Sequence, residues 1–143
     1  MIAIIGAMDE EVNALLELMT ETHTENIGTV CFYHGQLNQK EVVLFKSGVG
    51  LSMAAMSTGI CLSHYPITAV INIGTAGGLK DNQNVLYIVV SDRITYHDFD
   101  ISAFGNPRDF SDKNRYVFKS DTKLIDAFKS LKHKDRIWIG PIV

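Results

Sequence analysis

The sequence predicts an α/β fold, a β-sheet covered by helices, on three observations. Short apolar, β-branched runs alternate along the chain with stretches of 3.6-residue periodicity, the pattern of strands interleaved with helices. Three of those runs close in small, glycine-bearing segments: Gly6-Ala-Met8, Ser47-Gly-Val-Gly50 and Gly74-Thr-Ala-Gly-Gly78. The chain has 143 residues, 46% hydrophobic and 20% charged, which suits one soluble domain with a real core.

Each element follows from local pattern. Ile2-Ala-Ile-Ile-Gly6 is a first, central strand. Ala7-Met8 is the turn, and Asp9-Glu10-Glu11 opens a helix with Val12, Leu15, Leu16 and Met19 on one face. Val30–His34 and Glu41–Phe45 read as strands joined through Gly35–Lys40. A helix runs from Leu51 to His64, with Leu51, Ala54, Ala55, Thr58, Leu62 and Tyr65 on one face, and Pro66 ends it. The Met53–Met56 stretch reads as core packing. Ala69–Ile73 is a strand buried on both faces. Val85–Val90 is another strand, continuing towards Tyr96, and His97–Asp112 is a loop. Asp121 caps a helix carrying Leu124, Ile125, Phe128 and Leu131, and Arg136-Ile-Trp-Ile-Gly140 begins a last strand. A core-type strand as the last element suggests that further chain is needed to cover the sheet.

Composition excludes several function classes. Net charge is −3, and no Lys/Arg cluster with interleaved aromatics occurs, so no nucleic-acid partner is expected. No apolar run approaches the roughly 18 residues of a membrane span, so no membrane partner is expected either. Cys31 and Cys61 lie in apolar surroundings without metal-ligand spacing and read as free thiols of a reducing compartment. Without a basic leader at Met1–Gly6, the expected location is the cytoplasm.

If the three glycine-bearing segments follow parallel neighbouring strands, all three open onto one sheet edge, where ligands of α/β proteins bind. None contains Gly-x-Gly-x-x-Gly or a P-loop, so neither a dinucleotide nor a P-loop nucleotide cofactor is expected. Glu11 is the acid whose position stands out. It falls just past the first strand's carboxyl end, where a carboxylate can activate water. The competing reading is that Asp9, Glu10 and Glu11 only complement the helix dipole, and pattern alone favours that reading. His23, His34, His64, His97 and His133 do not pair at ligand spacing, so no metal is expected. His97-Asp98 reads as a structural hydrogen bond at a loop start. Ser47 has no evident base partner, and Asp109, Asp112 and Lys113 read as a solvated loop face.

Taken together, five stretches carry a resemblance. They are Ile4-Ile-Gly-Ala-Met-Asp-Glu-Glu-Val12, Lys46-Ser-Gly-Val-Gly50, Ile71-Asn-Ile-Gly-Thr-Ala-Gly-Gly78, Val89-Val-Ser-Asp92, and Tyr96-His-Asp98 through Ala103-Phe-Gly105. In order and spacing the chain resembles the N-terminal part of the 5′-methylthioadenosine/S-adenosylhomocysteine nucleosidases, within the nucleoside phosphorylase/hydrolase superfamily. The resemblance implies a three-layer α/β/α sandwich around a mixed sheet, a homodimer, no cofactor, and hydrolysis of the adenine–ribose bond through an oxocarbenium-like transition state. It reverses the reading of Glu11, which matches the glutamate that orients and activates water. Ala7 and Met8 match residues near the ribose, and Val49 the apolar lining of the alkylthio pocket. Thr75, Ala76 and Gly77 match the segment beside ribose and base. Ile101 and Phe104 match the loop that reaches into the neighbouring subunit's site and covers the alkylthio group.

The departures carry expectations of their own. Leu51 stands where the family has lysine, and the loop after Gly105 is shorter. The family continues past Val143 with a Met-Glu pair for the ribose hydroxyls, an aspartate that protonates adenine and an aromatic that stacks on it. The domain is therefore expected to lack its C-terminal part, and the chain as given to have little activity. Two alternatives stay open. One is a phosphorolytic purine or uridine phosphorylase, against which a carboxylate at Gly6-Ala-Met-Asp-Glu argues. The other is a non-catalytic remnant or dimerisation module.

Overall fold

Alternation along neighbouring strands decides where the core forms. In the computed structural model, which describes residues 1–111, 113–131 and 136–143, strand β1 (Ile2–Gly6) sends Ala3 and Ile5 to one face and Ile4 to the other. Strand β4 (Lys40–Lys46) does the same, with Val43 and Phe45 on one side and Val42 and Leu44 on the other. Both faces of these interior strands are buried, which is why each reads as a continuous apolar run. The first face packs with Val30 and Phe32 of β3 (Val30–Leu37) and with Cys61 of helix α2 (Leu51–His64). The second packs against Val12 of helix α1 (Asp9–Leu16) and against Met19. Helix, sheet and helix therefore form three layers.

The sheet is mixed. Its order is β2-β3-β4-β1-β5, with β2 at Thr20–Ile27 and β5 at Ala69–Asn72. Strands β4, β1 and β5 are parallel neighbours, while β2, β3 and β4 pair antiparallel. The three glycine-bearing segments thus leave the carboxyl ends of adjacent parallel strands. Hairpin β3–β4 closes through Asn38 and Gln39, both at positive φ (47° and 62°), the two-residue turn that matches strand twist.

These elements make up one compact unit, Met1–Gly77; Gly78–Val143 make up a second. In the second, β6 (Ile88–Ile94) runs parallel to β8 (Ile137–Ile142) and antiparallel to the short β7 (Phe118–Lys119). Helix α3 (Thr122–Lys129) buries Ile125, and the Asp121 carboxylate accepts the Lys123 and Leu124 amides at 2.7 and 3.3 Å. Between β6 and β7, Asn106 Nδ2 donates to Asn114 Oδ1 at 3.0 Å, both residues buried. The rings of Tyr96, Phe99 and Tyr116 gather beside one another.

Several elements differ from the sequence expectation. Helix α1 stops at Leu16, so Met19 reaches the core from the turn beyond it. Strand β2 was not expected: all its residues but Ile27 are exposed, and it pairs antiparallel with β3. β5 lies at the sheet's edge and is half-exposed, not buried on both faces. Helix α2 turns Ser57 and Cys61 inward rather than Leu51 and Leu62, and Met53 and Met56 are exposed. Apolar and small polar residues are interspersed on every side of that helix, so periodicity cannot choose its inward face. Val85 and Leu86 are exposed and precede β6. Asp112 and His133 lie outside the described residues.

Cys61 is a buried free thiol pushed up to about 11 by desolvation, whereas Cys31 is only partly buried. Among the described residues no helix is long and apolar enough to cross a membrane.

Candidate active site

Glu11 lies in the first turn of α1, and its carboxylate folds back over the end of β1. Its Oε2 accepts the Ala7 amide at 2.7 Å and the Met8 amide at 3.1 Å. Accepting Met8's amide is half of a capping box, the structural role the acidic first turn suggests. A cap serves only its own helix, however, and Glu11 goes further. Its Oε1 accepts the Thr75 amide at 3.0 Å, from a residue 64 positions away beyond β5. One carboxylate thus ties the ends of two parallel strands together.

Three backbone donors favour the ionised form. The Thr75 amide, with those of Ala7 and Met8, holds the Glu11 carboxyl below its ordinary value against a smaller opposing effect of desolvation. At neutral pH Glu11 is therefore an acceptor-only group, and among the described residues its Oε1 accepts a single hydrogen bond, from Thr75. Helix α1 approaches β1 closely enough for this because position 6 is glycine. A Cβ there would fall 2.9 Å from Val12 Cγ2 and 3.1 Å from Glu11 Cβ.

Glu11 is one of the residues lining an open recess of ≈ 460 Å³, with Met8, Glu10, Ile73, Gly74 and Thr75. The structure therefore gathers four of the residues singled out in the sequence: Ala7, Met8, Glu11 and Thr75. Ala76 and Gly77 follow Thr75 and are exposed. Val49 is exposed in the segment after β4, and its side chain is not among those lining the recess. Ile101 and Phe104 belong to the second unit, where Phe104 ends a 3₁₀ turn, Ser102–Phe104, with its ring 88% exposed.

Two further residues frame the site. Lys46 Nζ lies 2.8 Å from both carboxylate oxygens of Asp9, joining the end of β4 to the start of α1. Ser47 donates its amide to the Gly6 carbonyl at 2.9 Å, and its hydroxyl to the Gly48 carbonyl at 2.8 Å. A lysine ending an apolar strand opposite three first-turn acids is the sequence signal that could have found the Lys46–Asp9 pair. Among the described residues no group of three or more His, Cys, Asp or Glu side chains is arranged to hold a metal.

The model of the phosphorylase superfamily matches residues 1–143. The chain belongs to that superfamily. Within it, a 5′-methylthioadenosine/S-adenosylhomocysteine nucleosidase of Staphylococcus haemolyticus is 38% identical over 134 residues, 94% of this chain and 59% of the relative. Two solved superfamily structures show the likeness in three dimensions. The Streptococcus pyogenes S-adenosylhomocysteine nucleosidase, in complex with 5-methylthiotubericidin, superposes with TM-score 0.90 at 32% identity over 98% of this chain and 60% of its own. The Neisseria meningitidis 5′-methylthioadenosine/S-adenosylhomocysteine nucleosidase, in complex with methylthio-immucillin-A, gives 0.91 at 33% identity over 99% and 63%. The chain spans about three-fifths of the length of these relatives.

Proposed function

We propose that the protein hydrolyses the N-glycosidic bond of 5′-methylthioadenosine and S-adenosylhomocysteine, releasing adenine and the thioribose. The observation that carries this reading is the Glu11 carboxylate, held ionised by three backbone amides beside a recess beyond parallel strands. The names of similar proteins support the substrate class.

The chemistry suits a fixed negative charge. As the C1′–N9 bond breaks, its electron pair leaves with adenine and positive charge develops on the ribose ring. A carboxylate beneath the ring stabilises that charge. Water bonded to a cationic carbon becomes acidic, so even a carboxylate of lowered pKa accepts its proton at that moment. Glu11 accordingly orients water through Oε1 and takes its proton as the C1′–O bond forms. The proton that departs with adenine comes from a donor other than Glu11, because Glu11 enters the reaction ionised.

In this reading Ala7 and Met8 sit near the ribose, Thr75, Ala76 and Gly77 beside ribose and base, and Val49 against the alkylthio group. The protein acts as a homodimer in the cytoplasm, with Ile101 and Phe104 reaching the neighbouring subunit's site. No cofactor takes part.

The test is adenine release from 5′-methylthioadenosine by the protein purified from its source cells, with and without phosphate. Release of adenine and free methylthioribose without phosphate supports the proposal. A strict phosphate requirement with a sugar 1-phosphate product would replace hydrolysis by phosphorolysis.

A further inference from the structure

We propose that Gly74 is a positioning residue for Glu11: only the absence of a side chain at position 74 lets the carboxylate cross from α1 to β5 and take the Thr75 amide. This deepens the reading of Glu11 as the site's carboxylate and rests on it. A Cβ on Gly74 would lie 2.8 Å from Glu11 Oε1, 3.3 Å from Cδ and 3.5 Å from Oε2. All three of the nearest atoms belong to that one carboxyl group. The glycine is not required by backbone shape, because Gly74 is absent from the residues at positive φ. An alanine therefore needs no left-handed backbone, and what it meets first is the carboxylate, which must shift to admit it. Nor can the carboxylate yield without loss. Its Oε2 is held by Ala7 and Met8, so the oxygen that must move is Oε1, the one bonded to Thr75 and 2.8 Å from the added Cβ. Displacing a reacting group by about 1 Å costs on the order of 10²-fold in rate. Gly74 thus fixes the position of the charge along the strand ends.

The experiment follows the Thr75 amide by NMR as pH is lowered through the titration of Glu11, in the intact protein and in Gly74→Ala. The wild-type amide shift is expected to track Glu11 protonation, and the Gly74→Ala shift is expected to lose that dependence. In parallel, kcat for adenine release falls about 10²-fold or more in Gly74→Ala, with KM changed less than about threefold. An unaltered Thr75 titration in a folded Gly74→Ala protein overturns the inference. If Gly74→Ala does not fold, the double variant Gly74→Ala/Glu11→Ala decides. Recovered folding places the clash at Glu11 as inferred, and continued misfolding overturns it. Wild-type protein that releases no adenine overturns the proposed activity instead, and the amide titration still decides the role of Gly74.

Discussion

His34 lies face to face with His23, the ring centroids 4.9 Å apart and the planes 13° from parallel. Tyr65, at the end of α2, meets His34 edge-on at 4.6 Å, and its hydroxyl donates to Glu25 at 2.9 Å. Another contact of Glu25 is longer, 3.7 Å from His34 Nε2. Desolvation holds His34 below its ordinary value, and charge on His23 pushes the same way while Glu25 opposes both.

That depression fixes the sign of a pH effect. Between the lowered folded value and the ordinary 6.5, the unfolded chain binds more protons than the native one. The contribution of His34 to stability is complete above 6.5 and is lost as pH falls through the folded value. His34→Phe keeps the ring packing and removes the titrating group. Its urea midpoint is expected to fall less between pH 7 and pH 5 than that of the wild type. Equal slopes for the two proteins would show that His34 does not couple to folding.

Glu11 gives a second, more acidic window. Its folded pKa lies below the ordinary 4.5, so its stabilising contribution is present above 4.5 and disappears as pH falls through the folded value. Glu11→Gln is expected to flatten stability over that range and to lower adenine release by about 10²–10⁴-fold. Turnover within a fewfold of wild type would remove Glu11 from the mechanism.

Gln39 occupies the left-handed region at φ 62° without being glycine. In the two-residue turn with Asn38, Gln39→Gly relieves that strain and creates the favoured Asn-Gly pair. Chemical denaturation is expected to show a gain of about 0.5–1 kcal/mol, and a loss would mean that the Gln39 side chain has a packing role.

Phe104→Ser tests the proposed contact with the neighbouring subunit. The ring is 88% exposed in the chain, so thermal stability of the isolated fold is expected to change by less than about 0.5 kcal/mol. The KM for 5′-methylthioadenosine is expected to rise about tenfold or more as an apolar contact to the alkylthio group is lost. An unchanged KM would place Phe104 outside the site.

What the sequence made legible follows from where side chains carry the information. Strands β1 and β4 are buried on both faces and declare themselves as apolar runs. Asp121 declares the start of α3 because its carboxylate is its signal. Strand β2 was hidden because Thr-Glu-Thr-His-Thr-Glu-Asn-Ile is polar up to its last residue and exposed along most of its length, so no apolar alternation marks it. The inward face of α2 was hidden because apolar and small polar residues are interspersed on every side of that helix. In the site, Glu11, Ala7, Met8 and Thr75 stood out through the strand-loop-helix pattern and the resemblance. The reason for glycine at 74 was not visible, because it depends on a carboxylate 63 positions earlier in the chain.

The double engagement of Glu11 joins two processes that proteins often keep apart. A surface helix ordinarily frays at its first turn on a timescale of its own, with no effect on distant parts of the molecule. Here the carboxylate that closes the first turn of α1 also clasps the loop beyond β5, so fraying of that turn dismantles the recess in the same step. Local melting of α1 and release of the loop beyond β5 become one equilibrium. Whatever ligand fills the recess would slow hydrogen exchange at Ala7, Met8 and Thr75 together.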